Sequence, residues 1–81
     1  MKTTELLEKF KDVMNANFGT RPSDIKLESR LSEDLDIDSL DFVELIMEME
    51  DTLDTELPDD LFNELDDAFT VEKFLQIIEK V

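Results

Sequence analysis

The chain has 81 residues, of which 23 are acidic and eight are basic, and its formal net charge at pH 7 is -15. A chain of this length predicts one small domain over residues 1–81. The chain contains no Cys, which excludes disulfides and thiolate metal sites, and no His, which removes the commonest general base and metal ligand. No apolar run is long enough for a signal peptide or a membrane span, so we expect a soluble, cytoplasmic protein.

The negative charge is concentrated in the second part of the chain. Residues 1–30 carry six basic and five acidic residues, whereas residues 31–81 carry two basic and 18 acidic residues. Such a stretch repels nucleic acid and anionic membranes, and it attracts basic patches on other proteins. A disordered acidic tail is the alternative. Apolar residues recur through the tract at helical spacing, which favours a folded structure.

The first predicted element is a helix over residues 3–17, whose apolar residues fall on one face. Gly19 is the only glycine and suits the position after the end of this helix. Residues 20–37 then form a long connection. Its recurring apolar residues predict a loop held against the core, and they are Ile25, Leu27, Leu31, Leu35 and Ile37.

The second predicted helix begins at Asp38 as its N-cap and ends at about Leu53. A short third helix is predicted over Pro58–Leu65, because proline suits the first turn of a helix. Thr70 caps a fourth helix, whose apolar face reaches Val81. The predicted fold is all-α: a small four-helix bundle of three main helices plus the short helix III, with a long loop between helices I and II.

The second helix has two sets of apolar residues. The first set forms a core-facing side and consists of Phe42, Leu45, Ile46, Met49 and Leu53. The second set, which we call the second stripe, consists of Leu40, Val43 and Met47 and is rotated toward the acidic side of the helix. An exposed apolar stripe edged with carboxylates suits a helix-in-groove contact with a partner. Burial of all eight residues in the core is the alternative, and composition leaves both interpretations open.

The triplet Asp38-Ser39-Leu40 places a serine at the surface in the first turn of this helix. A Ser-His-Asp arrangement is impossible without His, so nothing in the chain activates Ser39 as a nucleophile. A serine that is presented but not activated favours an attachment point over a catalyst. The chain also has no glycine-rich phosphate loop and no basic-aromatic patch for nucleic acid. We therefore expect neither enzymatic activity nor nucleic acid binding.

Three aspartates match the start of a calcium-binding loop without completing it. Asp34, Asp36 and Asp38 have the required alternation. The sixth position needs Gly and holds Ser39, and the twelfth needs a bidentate Glu and holds Leu45. A dedicated metal site is therefore not expected.

Residues 35–47, with the sequence LDIDSLDFVELIM, resemble the phosphopantetheine attachment region of acyl carrier proteins. Residues 54–59 resemble the connection between the second and third helices of that family, and the likeness covers nearly the whole chain. The resemblance implies that a phosphopantetheinyl transferase esterifies Ser39 with 4'-phosphopantetheine from coenzyme A, which makes the chain a phosphoprotein. The arm then carries acyl groups as thioesters to fatty acid or related biosynthetic enzymes.

The resemblance also implies the surroundings of that site. Asp38 and Leu40 belong to the attachment site, and the second helix meets basic patches on acyl-processing enzymes. The implied partner-binding residues are Asp41, Val43, Glu44, Met47, Glu48, Glu50 and Asp51. The carrier is expected to act as a monomer and to shelter its acyl chain inside the bundle. The residues expected around that chain are Phe42, Met49, Leu57, Phe62, Leu65 and Phe74.

The sequence departs from the family pattern at three places. Asp36 stands where the family usually has Gly, Phe62 replaces a residue that is often small, and residues 66–68 are extra length before the fourth helix. A specialised carrier for a polyketide, lipid-modification or amino-acyl pathway is therefore an alternative to a carrier for fatty acid synthesis. An acidic helical adaptor that is never modified, and a calcium sensor, are alternatives from other classes.

Overall fold

The computed structural model describes residues 2–81 and contains three α-helices and two short 3-10 helices. The bounds are Thr3–Phe18 for α1, Ser39–Leu53 for α2 and Val71–Glu79 for α3, with 3-10 helices η1 at Pro22–Asp24 and η2 at Asp59–Asn63. Helix α1 packs against both α2 and α3, and η2 packs against α2. The prediction of an all-α bundle with one short helix and a long loop is confirmed.

The short third helix is a 3-10 helix and covers fewer residues than predicted. Its hydrogen bonds join residues three apart: the Leu61 N–H donates to the Pro58 carbonyl over 3.0 Å, and the Glu64 N–H donates to the Leu61 carbonyl over 3.1 Å. Leu61 is the one buried residue of η2. A segment with so little buried surface does not stabilise a longer α-helix, and short 3-10 turns are common connectors.

The long loop is pinned to the core, as predicted. Its apolar side chains are buried, except for half-buried Leu27, and they are Ile25, Leu27, Leu31, Leu35 and Ile37. The loop is also bonded to the start of α3. The Leu31 N–H donates to the Phe69 carbonyl over 3.0 Å, and the Val71 N–H donates to the Ser29 carbonyl over 2.9 Å. The α1–α2 loop and the start of α3 therefore form one bonded unit that leads into α2.

Aromatic side chains fill the centre of the bundle. Phe42 of α2 contacts Phe69, which precedes α3, and Phe74 of α3, with ring centroids 5.8 and 5.9 Å apart. Phe74 also contacts Phe10 of α1, with centroids 5.6 Å apart. These spacings are typical of tilted and edge-to-face aromatic pairs. The three main helices therefore meet at these rings.

Candidate functional site

The first turn of α2 is held by a reciprocal capping box. The Asp38 Oδ1 atom accepts a hydrogen bond from the Asp41 N–H over 2.8 Å, and the Asp41 Oδ2 atom accepts one from the Asp38 N–H over 3.4 Å. Two N–H groups that a helix start leaves without partners are thereby satisfied. Ser39 follows the cap as the first helical residue and is exposed. The predicted cap and the predicted surface position of the serine are both confirmed.

The surroundings of Ser39 fit a bulky anionic substituent. Ser39 and both of its sequence neighbours, Asp38 and Leu40, are exposed, so the serine is accessible for attachment of a large group. The N-terminus of α2 carries the positive end of the helix dipole, which favours a phosphodiester. The nearby carboxylates of Asp38 and Asp41 oppose this effect, although each accepts a backbone N–H.

Asp36 lies three residues before Ser39 with a φ of 59°, in the left-handed region. Glycine adopts this region without strain, and aspartate tolerates it better than most other residues. The backbone is fixed on both sides, because Leu35 and Ile37 are buried and the Ile37 N–H donates to the Leu31 carbonyl over 2.9 Å. The chain thus has here a backbone conformation suited to glycine, together with an exposed carboxylate.

The second stripe lies on the surface. Leu40 is 80% exposed, Met47 is 58% exposed and Val43 is 41% exposed. The residues of the core-facing side are buried, apart from half-buried Leu53, and they are Phe42, Leu45, Ile46, Met49 and Leu53. The structure therefore decides between the two interpretations of this helix: the second stripe is not part of the core.

Carboxylates surround the second stripe without internal counter-ions. Glu44 and Asp51 are exposed, and Glu48 is half-buried. Among residues 2–81, the ion pairs join Arg21 to Asp24 and Arg30 to Asp34, and neither involves α2. The end of α2 also borders a shallow acidic depression, lined by Met47, Glu48, Glu50, Asp51, Asp54, Thr55 and Glu56. Apolar side chains set among unpaired carboxylates are complementary to a surface that is both basic and apolar.

The carboxylate of Glu50 is engaged within the chain. Its Oε2 atom accepts a hydrogen bond from the Leu57 N–H over 2.8 Å, and the residue is half-buried. Leu57 is buried, so this bond holds the connection from α2 to η2 against the core. The sequence pattern carried no signal for this contact. The role of Glu50 toward partners stays a prediction.

Phe62 was expected inside the bundle, and the structure corrects this. It is 38% exposed, whereas its neighbour Leu61 is 1% exposed. The three-residue turns of η2 direct Leu61 inward, and the next side chain then faces outward. Phe69, which the sequence analysis did not place inside, is buried against Phe42. The interior therefore contains Phe69 and not Phe62.

Between Lys2 and Val81, no three acidic side chains converge in a way that would hold a metal ion. None of the helices described for this part of the chain combines the length and the apolar character needed to cross a membrane.

Comparison with known proteins shows the family to which the chain is similar. The family model for the phosphopantetheine attachment site matches residues 5–77. An acyl carrier protein of Campylobacter concisus is 36% identical over 76 residues, covering 94% of this chain and 95% of the relative. Acyl carrier proteins of Chlorobium phaeobacteroides and Clostridium acetobutylicum are 43% and 46% identical over 60 and 55 residues. These two matches cover 74% and 68% of this chain, and 77% and 71% of the relatives.

The helical fold and the family match together define a carrier that uses phosphopantetheine. The chain belongs to the acyl carrier protein family. Its function is to carry acyl groups on a phosphopantetheine arm, and acyl-processing enzymes are the class of partner.

Proposed function

We propose that Ser39 is the residue that bears the 4'-phosphopantetheine arm. The observation that carries the proposal is its position as an exposed first residue of α2, directly after the N-cap Asp38 and within the Asp38–Asp41 capping box. The capping box fixes the backbone that presents the hydroxyl, and the exposure leaves room for a transferase to reach it. Asp38 and Leu40 are the proposed neighbours in this attachment site.

The proposed attachment is a phosphoryl transfer from coenzyme A. The Ser39 Oγ atom forms a bond to the phosphorus that bears the pantetheine unit, and the bond from that phosphorus to the bridging pyrophosphate oxygen breaks. Adenosine 3',5'-bisphosphate leaves, and the hydroxyl proton passes to a base of the transferase. The chain contains no His to act as that base. The product is a phosphodiester at the positive end of the α2 dipole, which favours its charge.

When attached, the arm supplies the thiol that forms the acyl thioester. The chain has no Cys of its own, so the arm is the only thiol available to it. The chain itself positions the arm and provides a docking surface. The capping box positions Ser39, and α2 offers a surface to whichever enzyme acts on the thioester. On this account the chain has no catalytic residue and is not an enzyme.

The proposed docking surface for partner enzymes is the outer side of α2. The second stripe supplies apolar contact at its centre, and Glu44, Glu48 and Asp51 supply charge around it. Basic patches on acyl-processing enzymes and on the transferase are complementary to that charge, which speeds encounter. Asp41 and Glu50, although both accept backbone N–H groups, remain predicted members of this surface. A cytoplasmic location and a monomeric state also stay predictions.

The test is loading of the apo protein by coenzyme A and a broad-specificity phosphopantetheinyl transferase, followed by intact mass measurement. We expect one phosphopantetheinyl group per chain, and none on Ser39→Ala. Ser23→Ala is the matched control, because Ser23 is an exposed serine in the 3-10 helix η1 and should not affect loading. An unmodified wild-type chain, or an adduct that persists on Ser39→Ala, would sink the proposal and favour an unmodified acidic adaptor.

A further inference from the structure

Beneath the attachment serine lies a cluster of four phenylalanines, Phe10, Phe42, Phe69 and Phe74. Phe42 is three residues after Ser39, one turn along α2, and is 1% exposed. Its ring contacts Phe69 edge-to-face at an interplanar angle of 80° and contacts Phe74 at 57°. The interior next to the attachment site is therefore filled by aromatic rings.

The rings of this phenylalanine cluster support one another from three helices. Phe69 and Phe74 contact edge-to-face with centroids 6.3 Å apart, and Phe10 contacts Phe74 from the side of α1. Phe10 and Phe74 are fully buried, and Phe69 is 4% exposed. No ring of the cluster therefore lies at the surface, where it could swing away without disturbing another.

The backbone that carries Phe69 is also fixed. Its carbonyl accepts the Leu31 N–H over 3.0 Å, and the Val71 N–H donates to the Ser29 carbonyl over 2.9 Å. These bonds fix the backbone position from which the Phe69 ring enters the interior. The phenylalanine cluster and the long loop are thus connected through the backbone at Phe69.

A hydrocarbon chain that folded back from Ser39 into the bundle would have to displace these rings. Protein interiors are close-packed, and forcing extra methylene groups into a filled core costs free energy through strained side chains and backbone shifts. A long alkyl chain left in water is unfavourable as well, because of the hydrophobic effect. An acyl group that is short, or that carries polar groups, avoids both costs.

We propose that the phenylalanine cluster keeps the acyl chain out of the bundle, so that this carrier serves short or polar acyl groups. The inference rests on the proposed attachment at Ser39. It replaces the expectation from the sequence that the interior shelters a growing chain. It favours a specialised carrier over one for long fatty acyl chains.

The test compares the thermal stability of carriers loaded with arms of different length. Acetyl, hexanoyl and decanoyl arms are transferred to Ser39 from the corresponding acyl-coenzyme A thioesters, and intact mass measurement verifies each product. An internalised chain adds buried apolar area with every methylene and raises Tm with length, whereas an excluded chain does not. We expect the three Tm values to agree within about 2 °C, well under the shift of about 4–8 °C that one kcal/mol produces in a domain of this size.

Two variants test whether the phenylalanine cluster is the cause of the exclusion of the acyl chain. Phe69→Ala removes a ring next to Phe42 and should make Tm rise with chain length; Phe69→Leu serves if the alanine variant does not fold. Phe62→Ala is the matched control, because Phe62 is an exposed phenylalanine outside the cluster and should leave the wild-type pattern unchanged.

The possible outcomes separate this inference from the proposed function. A wild-type carrier that loads normally but gains more than about 5 °C from acetyl to decanoyl would overturn the inference and leave the attachment at Ser39 intact. A Tm that does not change with chain length in either the wild type or the Phe69 variant would show that the cluster is not the cause of exclusion. A failure of Ser39 to load at all would instead overturn the proposed function.

Discussion

Helices α1 and α2 have nearly the same length but very different outer surfaces. Helix α1 spans 16 residues and carries charges of both signs. Its charged residues are Glu5, Glu8, Lys9, Lys11 and Asp12. Helix α2 spans 15 residues, carries no basic residue, and exposes Leu40, Val43 and Met47. Among residues 2–81, none of the large exposed hydrophobic side chains lies on α1. The buried sides of both helices build the core, so the difference lies in what each helix offers to other molecules.

This contrast teaches that amphipathic periodicity alone does not separate a structural helix from a recognition helix. Both helices bury an apolar face, and that face would be needed for folding in either case. What distinguishes α2 is the apolar area left over after the core is complete, together with charge of one sign around it. Such a combination costs solubility and stability unless a partner uses it.

The largest expected difference between the two helices concerns their methionines. Met14 of α1 is fully buried, so Met14→Ala should lower the free energy of unfolding by about 2–5 kcal/mol. Met47 of α2 is exposed, so Met47→Ala should change it by less than about 0.5 kcal/mol. Urea denaturation measures both values.

The same two variants should show the opposite order in a partner assay. Met47→Ala should lower kcat/KM for loading by the transferase, by about fivefold or more if the second stripe is a main contact. Met14→Ala, assayed where it is fully folded, should load like the wild type. A normal loading rate for Met47→Ala would remove the second stripe from the docking surface.

Charge reversal on the two helices should also give a large difference in loading. Glu44→Lys with Glu48→Lys on α2 should lower kcat/KM for loading by about tenfold at low ionic strength, because the field that attracts a basic partner is weakened. Glu5→Lys with Glu8→Lys on α1 changes the net charge equally and should have little effect. Equal losses of kcat/KM in both double variants would show that net charge, and not the location of the charge on α2, governs the encounter.

The backbone at the two ends of the long loop gives a smaller effect on stability. Gly19 has a φ of 70° after α1, and a Cβ atom there meets nothing within 4 Å. Gly19→Ala should therefore destabilise the fold by about 1 kcal/mol, through the left-handed backbone alone. Asp36 has a φ of 59° before α2, and Asp36→Gly should therefore stabilise the fold.

The gain from Asp36→Gly should be less than about 1 kcal/mol, since glycine also increases the entropy of the unfolded chain. Urea denaturation of both variants measures the comparison. A clear loss of stability in Asp36→Gly would show that the aspartate side chain makes a stabilising contact.

The smallest effect concerns the pH dependence contributed by Asp34. The Arg30 backbone N–H donates to the Asp34 carboxylate over 2.7 Å and, with the Arg30 guanidinium, lowers the pKa of Asp34. A carboxyl whose pKa is lower in the folded state stabilises the fold above its unfolded pKa of about 3.9, and it loses that contribution as pH falls through the folded value. The Tm difference between wild type and Asp34→Asn should therefore be present at neutral pH and shrink below about pH 4. A difference that grows on acidification would contradict this sign.

The sequence predicted the parts of this site that depend on local chemistry. Asp38 caps α2 because its side chain reaches an N–H three residues on, and that signal is local. The burial of Phe42 follows from helical spacing, whereas composition left the exposure of Leu40 open. The recurring apolar residues of the long loop likewise predicted its contact with the core.

The remaining features depend on tertiary contacts that a sequence pattern does not encode. The register of η2, which buries Leu61 and exposes Phe62, depends on 3-10 geometry. The Glu50–Leu57 hydrogen bond joins residues seven apart across the end of a helix. The place of Phe69 among the rings depends on how the long loop bonds to the start of α3.

The central claim is that α2, and not α1, presents the attachment serine to partner enzymes. The most direct test is an NMR titration of the isotope-labelled apo chain with a phosphopantetheinyl transferase. The backbone amide resonances report which residues the transferase contacts. We expect the changes to concentrate at Ser39 and along the second stripe, while the amides of Glu5, Glu8 and Asp12 on α1 stay unchanged. Changes centred on α1, with α2 unaffected, would contradict the account.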